Sequence, residues 1–165
     1  MTDLRIVVMS DTHLGPRRRR PLPAALLAAC EGADAVLHAG DLVTADVLDT
    51  LAAYAPLHAV AGNCDPWDLL DLLGESRSFE LGGVPIAITH IPGPEAGRRA
   101  RLQAAYPAAR VIVFGHTHWP HLELGGDVML LNPGSPTERR RAPHATFAEL
   151  RIADERVTAR LIELS

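Results

Sequence analysis

Polar side chains that could bind metal ions follow five short apolar runs, at the point where each run ends. The runs are strand-like, and their ends read "SDTH", "HAGD", "AGN", "ITH" and "FGHTH". The carboxylates, imidazoles and amide found there belong to Asp11, His13, Asp41, Asn63, His90, His116 and His118. Because ligand sites in open α/β sheets form outside the carboxyl ends of the strands, we expect these side chains to meet at one rim. Nitrogen and oxygen donors without thiolate suit Mn²⁺, Fe, Zn²⁺ or Ni²⁺ better than soft metal ions.

Each of these motifs has a simpler explanation when it is taken alone. Gly-Asp and Gly-Asn at a strand end are common turn sequences, and a single histidine such as His90 is more often hydrogen-bonded than metal-bound. His116 and His118 are two residues apart, so in extended chain they project to the same side and could share one centre. Seven donors at five strand ends exceed what turns alone would explain, and this favours a metal site.

Alternating strand and helix signals position these residues in the first two thirds of the chain. Compact apolar runs at 4–10, 33–40 and 56–62 alternate with helical segments that begin after Pro23, after Thr44 and at Pro66. Thr44 is a predicted N-cap. This β-α-β-α-β order predicts a parallel sheet.

The remainder of the chain has a different pattern. Gly82-Gly83 separates two strand-like runs and predicts a hairpin, and the composition from Glu95 to Tyr106 predicts a helix. The two C-terminal runs, "TFAELRI" and "RVTARLIEL", alternate in polarity and predict antiparallel strands with one face covered. We expect one domain over residues 1–165, a layered α/β sandwich.

Composition restricts the classes of partner. The formal net charge of −4 argues against stable nucleic-acid binding, and all 16 basic residues are arginine. Two cysteines are too few for a disulfide framework or a cysteine-rich zinc site. No apolar run approaches the roughly 20 residues needed to span a bilayer, so we expect no membrane association and a cytoplasmic location.

The ordered motifs, together with "NPGSPTERRR" at 132–141, resemble the calcineurin-like metallophosphoesterases, and among them the small YfcE-like phosphodiesterases. The resemblance covers nearly the whole chain and implies a four-layer α-β-β-α sandwich with mixed sheets and two divalent metal ions. It implies that the first ion is held by Asp11, His13, Asp41 and His118. It also implies that Asp41 bridges to a second ion, held further by Asn63, His90 and His116.

The function implied by this resemblance is that of a dinuclear metal-dependent phosphodiesterase. A metal-bridging hydroxide would attack phosphorus in line with the leaving oxygen, with Asp41, Asn63, His90 and His116 as the catalytic set. Manganese is the expected metal, with Ni, Fe, Zn or Co as alternatives, and the expected substrate is a small phosphodiester or a nucleotide-like compound. The alternatives are a phosphomonoesterase or a catalytically weak metal-binding scaffold, since a retromer subunit with this fold works mainly by binding proteins. A homodimer or higher homo-oligomer stays open.

Several neighbouring residues have more than one interpretation. Cys64 stands where many relatives in the superfamily carry a proton-donating histidine, and no arginine lies six residues beyond it, which excludes a cysteine-phosphatase loop. Asp65 either caps the following helix or orients a ligand histidine. His38 and His58 are interpreted as structural, and Asn132 and Ser135 as loop-shaping residues. The arginine runs Arg17–Arg20 and Arg139–Arg141 are either solvated or bind phosphate.

Overall fold

The first strand, β1 (Asp3–Met9), carries apolar side chains on both faces of its sheet. A computed structural model describes residues 1–17 and 20–165 of the protein. Ile6 and Val8 point to one buried layer, whereas Val7 and Met9 point to another. A strand that is apolar on both sides must be covered on both sides, which is why this fold needs layers of helices outside its sheets.

The described residues form ten strands and four helices. In chain order these are β1 (Asp3–Met9), α1 (Ala24–Cys30), β2 (Ala35–His38), α2 (Ala45–Ala52), β3 (Leu57–Ala59), α3 (Trp67–Leu73), β4 (Ser76–Leu81), β5 (Val84–Thr89), α4 (Arg98–Ala105), β6 (Val111–Val113), β7 (His121–Gly125), β8 (Val128–Asn132), β9 (Ala145–Ala153) and β10 (Arg156–Leu164).

The strands of the described residues make two five-stranded mixed sheets. The first has the order β10-β9-β1-β2-β3, in which β1, β2 and β3 are parallel, β9 is antiparallel to β1, and β10 is antiparallel to β9. The second has the order β4-β5-β6-β8-β7, in which β5, β6 and β8 are parallel and the two edge strands are antiparallel. The predicted parallel series, the hairpin at Gly82-Gly83 and the antiparallel C-terminal pair are all present.

Three apolar clusters separate four layers. The largest lies between the two sheets and contains Ile6 and Val8 from the first sheet and Ile86 and Val113 from the second. Helices α1, α2 and α3 cover the outer face of the first sheet, and Leu102 of α4 covers the second. The predicted four-layer α-β-β-α sandwich is confirmed.

Two local predictions differ from the structure. Thr44 does occupy the N-cap of α2, but its hydroxyl donates to the carbonyl oxygen of Leu14, 3.1 Å away, and so ties two loops together. Helix α4 begins at Arg98 rather than at Glu95, because Gly97 has a φ of 70° and breaks the helical path before it. Within the described part of the chain, no helix is long and apolar enough to cross a membrane.

Candidate metal centre

The carboxyl ends of five parallel strands, three from the first sheet and two from the second, meet at one rim. Loops after β1, β2 and β3 carry the first donors, and loops after β5 and β6 carry the others. All seven predicted side chains are brought together there: Asp11, His13, Asp41, Asn63, His90, His116 and His118. The site therefore depends on both sheets keeping their relative position.

The first group of donors surrounds Asp11 Oδ1. His118 Nε2 lies 3.4 Å from this oxygen and 3.2 Å from His13 Nε2, which is itself 3.7 Å from Asp11 Oδ1. Asp41 Oδ2 lies 3.4 Å from His13 Nε2. These are the spacings of atoms that face a common centre.

The second group shares Asp41 with the first. Asp41 Oδ2 lies 3.2 Å from His90 Nε2, and Asn63 Oδ1 lies 3.0 Å from the same nitrogen. His116 Nδ1 is 2.9 Å from Asn63 Oδ1. Since Asp41 Oδ2 lies between His13 and His90, one carboxylate faces both groups.

The protonation pattern of this cluster fits divalent cations. His90 Nδ1 donates to the carbonyl oxygen of Ala39 at 2.6 Å, and His118 Nδ1 donates to that of Glu138. When it is neutral, each ring therefore turns the lone pair of Nε2 towards the carboxylates, as metal-binding histidines do. Within the described residues, the buried Asp11 Oδ1 accepts no hydrogen bond. A buried charged oxygen is costly without a partner, and a cation would provide one.

The pKa values show the same electrostatic balance. Burial opposes the charged form of Asp11, but the nearby imidazoles of His13, His90 and His118 outweigh it and lower its pKa. The pKa of Asp41 is also lowered against burial, chiefly by His90. Burial favours neutral His90, yet Asp41 and Asp11 raise its pKa. The carboxylates thus remain charged and attract either protons or metal ions.

Most of these donor residues have a left-handed backbone conformation, which sets the direction of their side chains. Five of the seven have φ between 46° and 71°, which is uncommon for residues other than glycine: Asp11, His13, Asp41, His116 and His118. Such conformations cost roughly 1 kcal/mol or more each and persist where the surrounding structure enforces them, typically at functional sites. Gly62 permits the close approach of the loops, since a Cβ there would overlap with Asp41 Oδ1.

Asp65 has a role that the sequence did not predict. Its Oδ2 accepts the amides of Asp41 at 2.9 Å and Gly62 at 2.7 Å, and its Oδ1 accepts the amide of Val43 at 2.6 Å. Both proposed roles, the helix cap and the partner of a ligand histidine, are therefore wrong. Three converging backbone amides leave no local sequence pattern, because two of them lie more than 20 residues away.

The segment 132–138 fastens two of the donor loops. The side-chain amide of Asn132 donates to the carbonyl oxygen of Gly115 at 3.1 Å. The hydroxyl of Ser135 donates to the carbonyl oxygen of Asp11 at 2.7 Å. Thr137, which the sequence did not single out, donates to the carbonyl oxygen of Thr12 at 2.6 Å. The loop-shaping role predicted for Asn132 and Ser135 is what the structure shows.

The other histidines and the cysteine occupy distinct positions. His38 is buried beside the site, where its Nδ1 accepts the Gly40 amide at 3.1 Å. His58 stacks on Phe79 with ring centroids 4.1 Å apart, away from the donors. Cys64 donates its backbone amide to Asp41 Oδ1 at 2.8 Å, and its thiol lies within 4.8 Å of donor atoms of His13 and Asp41. Burial and Asp41 raise the pKa of that thiol to about 11, so it stays protonated and is a poor ligand near neutral pH.

The arginine runs flank a cleft beside the first group of donors. Arg18 and Arg19 lie outside the described residues. Arg17, Arg20, Arg139 and Arg140 line a cavity of about 690 Å³ together with His13.

Comparison with protein families agrees with the geometry. A family model described as the calcineurin-like phosphoesterase superfamily domain matches residues 4–155. The protein named "probable metallophosphoesterase" in Methanothermobacter thermautotrophicus is 35% identical over 159 residues, which cover 95% of this chain and 91% of that relative.

Solved structures have the same fold. A Thermotoga maritima protein studied by solution NMR is 30% identical and has a TM-score of 0.75, with 98% of this chain and 99% of that chain covered. A structure described as a novel archaeal phosphodiesterase is 24% identical and also has a TM-score of 0.75, with 98% and 100% covered. These similarities confirm the resemblance that the ordered motifs predicted.

Proposed function

The chain belongs to the calcineurin-like phosphoesterase superfamily, and from that membership we propose that it is a dinuclear metal-dependent phosphodiesterase. The observation that carries the proposal is the position of Asp41, whose Oδ2 lies 3.4 Å from His13 Nε2 and 3.2 Å from His90 Nε2. Two nearby dications repel each other, so a shared carboxylate between two sets of neutral donors is what a two-metal site requires.

The proposed ligands divide into two sets that share Asp41. Asp11, His13 and His118 complete the first, and Asn63, His90 and His116 complete the second. Divalent ions held there, for which we propose Mn²⁺, would acidify a water molecule for attack on phosphorus and offset the charge on the phosphate oxygens.

The exposure and charge of the site residues indicate how a substrate would bind. Asn63 and His116 are exposed, whereas Asp11 and His118 are buried, so a substrate approaches from the side of the second group. Asn63 offers an oxygen without adding negative charge, and this limits the repulsion of an anionic substrate. Cys64 remains a thiol because its pKa is raised to about 11, so it can donate only a weak hydrogen bond. The archaeal phosphodiesterase with this fold supports a diester as substrate, and we propose a small or nucleotide-like one.

The test is reconstitution of metal-stripped protein. After dialysis against EDTA, metal analysis should show about two Mn²⁺ bound per chain on titration, and bis(p-nitrophenyl) phosphate should be hydrolysed faster than p-nitrophenyl phosphate. A preference for the monoester would instead identify a phosphomonoesterase. Failure to bind metal and to hydrolyse either ester with several divalent ions would refute the proposal.

Asp41→Asn tests the bridge. We expect a loss in kcat/KM of more than about 100-fold and weaker binding of both ions, because the shared charge is removed from both groups. Asp49→Asn, an exposed carboxylate on α2, is the matched control and should retain activity. Activity that survives Asp41→Asn would mean that the ligand assignment is wrong.

A further inference from the structure

A basic cleft adjoins the donor cluster on the side of His13. The cavity of about 690 Å³ that reaches His13 and Arg140 is joined by a second, of about 400 Å³, and the two share His13, Arg17, Glu138 and Arg140 in their lining. The smaller cavity also contains Cys64. A group bound in this cleft would therefore lie directly beside the reacting centre.

Two arginine side chains of the cleft, those of Arg17 and Arg140, have no hydrogen-bond or ion-pair partner among the described residues. Some guanidinium groups elsewhere bind carbonyl oxygens: Arg5 binds those of Ala29 and Glu31, and Arg99 binds those of Glu123 and Val128. In the described part of the chain, neither Arg17 nor Arg140 makes a hydrogen bond or ion pair with the protein. Their donors remain available for a ligand.

Arg140 faces the donor cluster. It lines the smaller cavity together with His13 and Cys64, so it lies beside that cluster. Its backbone is in the left-handed region, with φ of 50°, a conformation that is costly for arginine and is typical of functional positions. A cation turned towards a site that itself binds cations is repelled unless an anion lies between them.

Glu138 is the acidic residue of the same cleft. Its carboxylate lies 3.9 Å from His13 Nδ1, so it faces the histidine. Arg17 and Arg140 also line both cavities, and Arg20 and Arg139 line the larger one. The balance of charge in the cleft is positive, and guanidinium groups bind phosphate oxygens in a bidentate manner.

We propose that Arg140 and Arg17 bind a second phosphate group of the substrate while the scissile phosphate lies at the donor cluster. The inference rests on the proposed phosphodiesterase function and deepens it, because it assigns the substrate class as phosphate esters that carry an additional phosphate. Simple aryl diesters would use the reacting centre and leave the cleft empty.

Two matched substrates test this directly. The 5′-p-nitrophenyl ester of thymidine 5′-phosphate and the same ester with a 3′-phosphate release the same chromophore and differ only in the second phosphate. We expect the Mn²⁺-loaded protein to have a kcat/KM about 10-fold or more higher for the 3′-phosphorylated ester, mainly through KM. Arg140→Ala should reduce this preference to about 2-fold or less. Arg140→Lys should retain part of it, because lysine keeps the positive charge but cannot bind phosphate in the bidentate manner of a guanidinium group.

Arg141→Ala is the matched control. Arg141 is the exposed neighbour of Arg140 and lies outside the lining of both cavities, so its removal should leave the preference unchanged. Equal kcat/KM for the two esters in the wild-type protein, or a preference that persists in Arg140→Ala, would overturn the proposal.

A binding measurement separates this proposal from the proposed function. Calorimetry on the metal-free protein should show tighter binding of thymidine 3′,5′-diphosphate than of thymidine 5′-monophosphate, and Arg140→Ala should remove the difference. If neither ester is hydrolysed, the phosphodiesterase function fails and calorimetry alone decides on the cleft. Equal binding of the two nucleotides, or binding of neither, would then refute the anion site.

Discussion

Asp65 joins the two loops that carry Asp41 and Asn63. One carboxylate accepts three backbone amides, from Asp41, Gly62 and Val43, at 2.6 to 2.9 Å. Hydrogen bonds to an ionised acceptor are stronger than neutral ones. At the scale of single residues, Asp41, the proposed bridging ligand, is therefore held by its own backbone amide as well as by the donors that its side chain faces.

Asp65→Asn should weaken this arrangement. The amide side chain keeps one acceptor oxygen and turns an NH₂ group towards a backbone amide, so at least one N–H loses its partner. We expect a loss of about 2–3 kcal/mol in the free energy of unfolding, and a metal affinity about 10- to 100-fold lower. Urea unfolding and metal titration by calorimetry measure the two effects.

Asp68→Asn is the control for that substitution. Asp68 lies on α3, is exposed, and accepts only the amide of Leu69, at 3.0 Å, among the described residues. Its substitution should leave both quantities near those of the wild type. Wild-type metal affinity in Asp65→Asn would show that the three amides do not position Asp41.

His38 makes stability depend on pH. It is buried, its Nδ1 accepts the Gly40 amide, and its Nε2 lies 3.1 Å from the hydroxyl of Thr12. Burial lowers its pKa to about 3, assisted by His90 and opposed by Asp11 and Asp41. The unfolded chain therefore takes up a proton near pH 6.5 that the folded protein rejects, and this favours unfolding as the pH falls from 6.5 towards 3.

His38→Gln should remove this contribution. Between pH 7 and pH 5, wild-type stability should fall by about 2 kcal/mol more than that of the variant, because one proton binds only to the unfolded chain in this window. Urea unfolding of EDTA-treated protein at several pH values gives the comparison. His144→Gln, at an exposed histidine, should keep the wild-type slope, and identical slopes for His38→Gln and wild type would contradict the assignment.

At the scale of elements, strands were predictable because their patterns are local. Ile6, Val7, Val8 and Met9 form a run that fits a strand buried on both faces, and the structure places its two sides in two different core clusters. Glycines at 82 and 83 marked the hairpin correctly. The donors followed from the same logic, since each stands just after such a strand and parallel strands end at one edge.

Features that depend on distant partners were not predictable from local sequence. Threonine is a common N-cap residue, but the hydroxyl of Thr44 donates to the carbonyl oxygen of Leu14, 30 residues earlier. The pairing of β1 with β9 joins segments at opposite ends of the chain. The observed contact of Thr137 and the role proposed for Arg140 depend on where segment 132–141 folds, which periodicity within that segment does not reveal.

At the scale of the whole molecule, the candidate metal centre links the two sheets. Asp11, Asp41 and Asn63 follow strands of the first sheet, whereas His90 and His116 follow strands of the second. The apolar cluster between the sheets and the donors at their rim hold the same two layers together. Metal ions bound there would stabilise the complete sandwich rather than one loop.

Metal removal should therefore lower global stability. At each site, Mn²⁺ at about 100 times its Kd adds about 2.7 kcal/mol to the stability of the folded state, which corresponds to a rise of about 5–10 °C in Tm per site for a domain of this size. Hydrogen exchange should slow in β1 and β2 as well as in β5 and β6, because ions bridging both sheets oppose their separation. Asn63→Ala, which removes one donor of the second group only, should retain part of the rise in Tm. Protection confined to the donor loops, with Tm unchanged, would show that the ions do not join the two sheets.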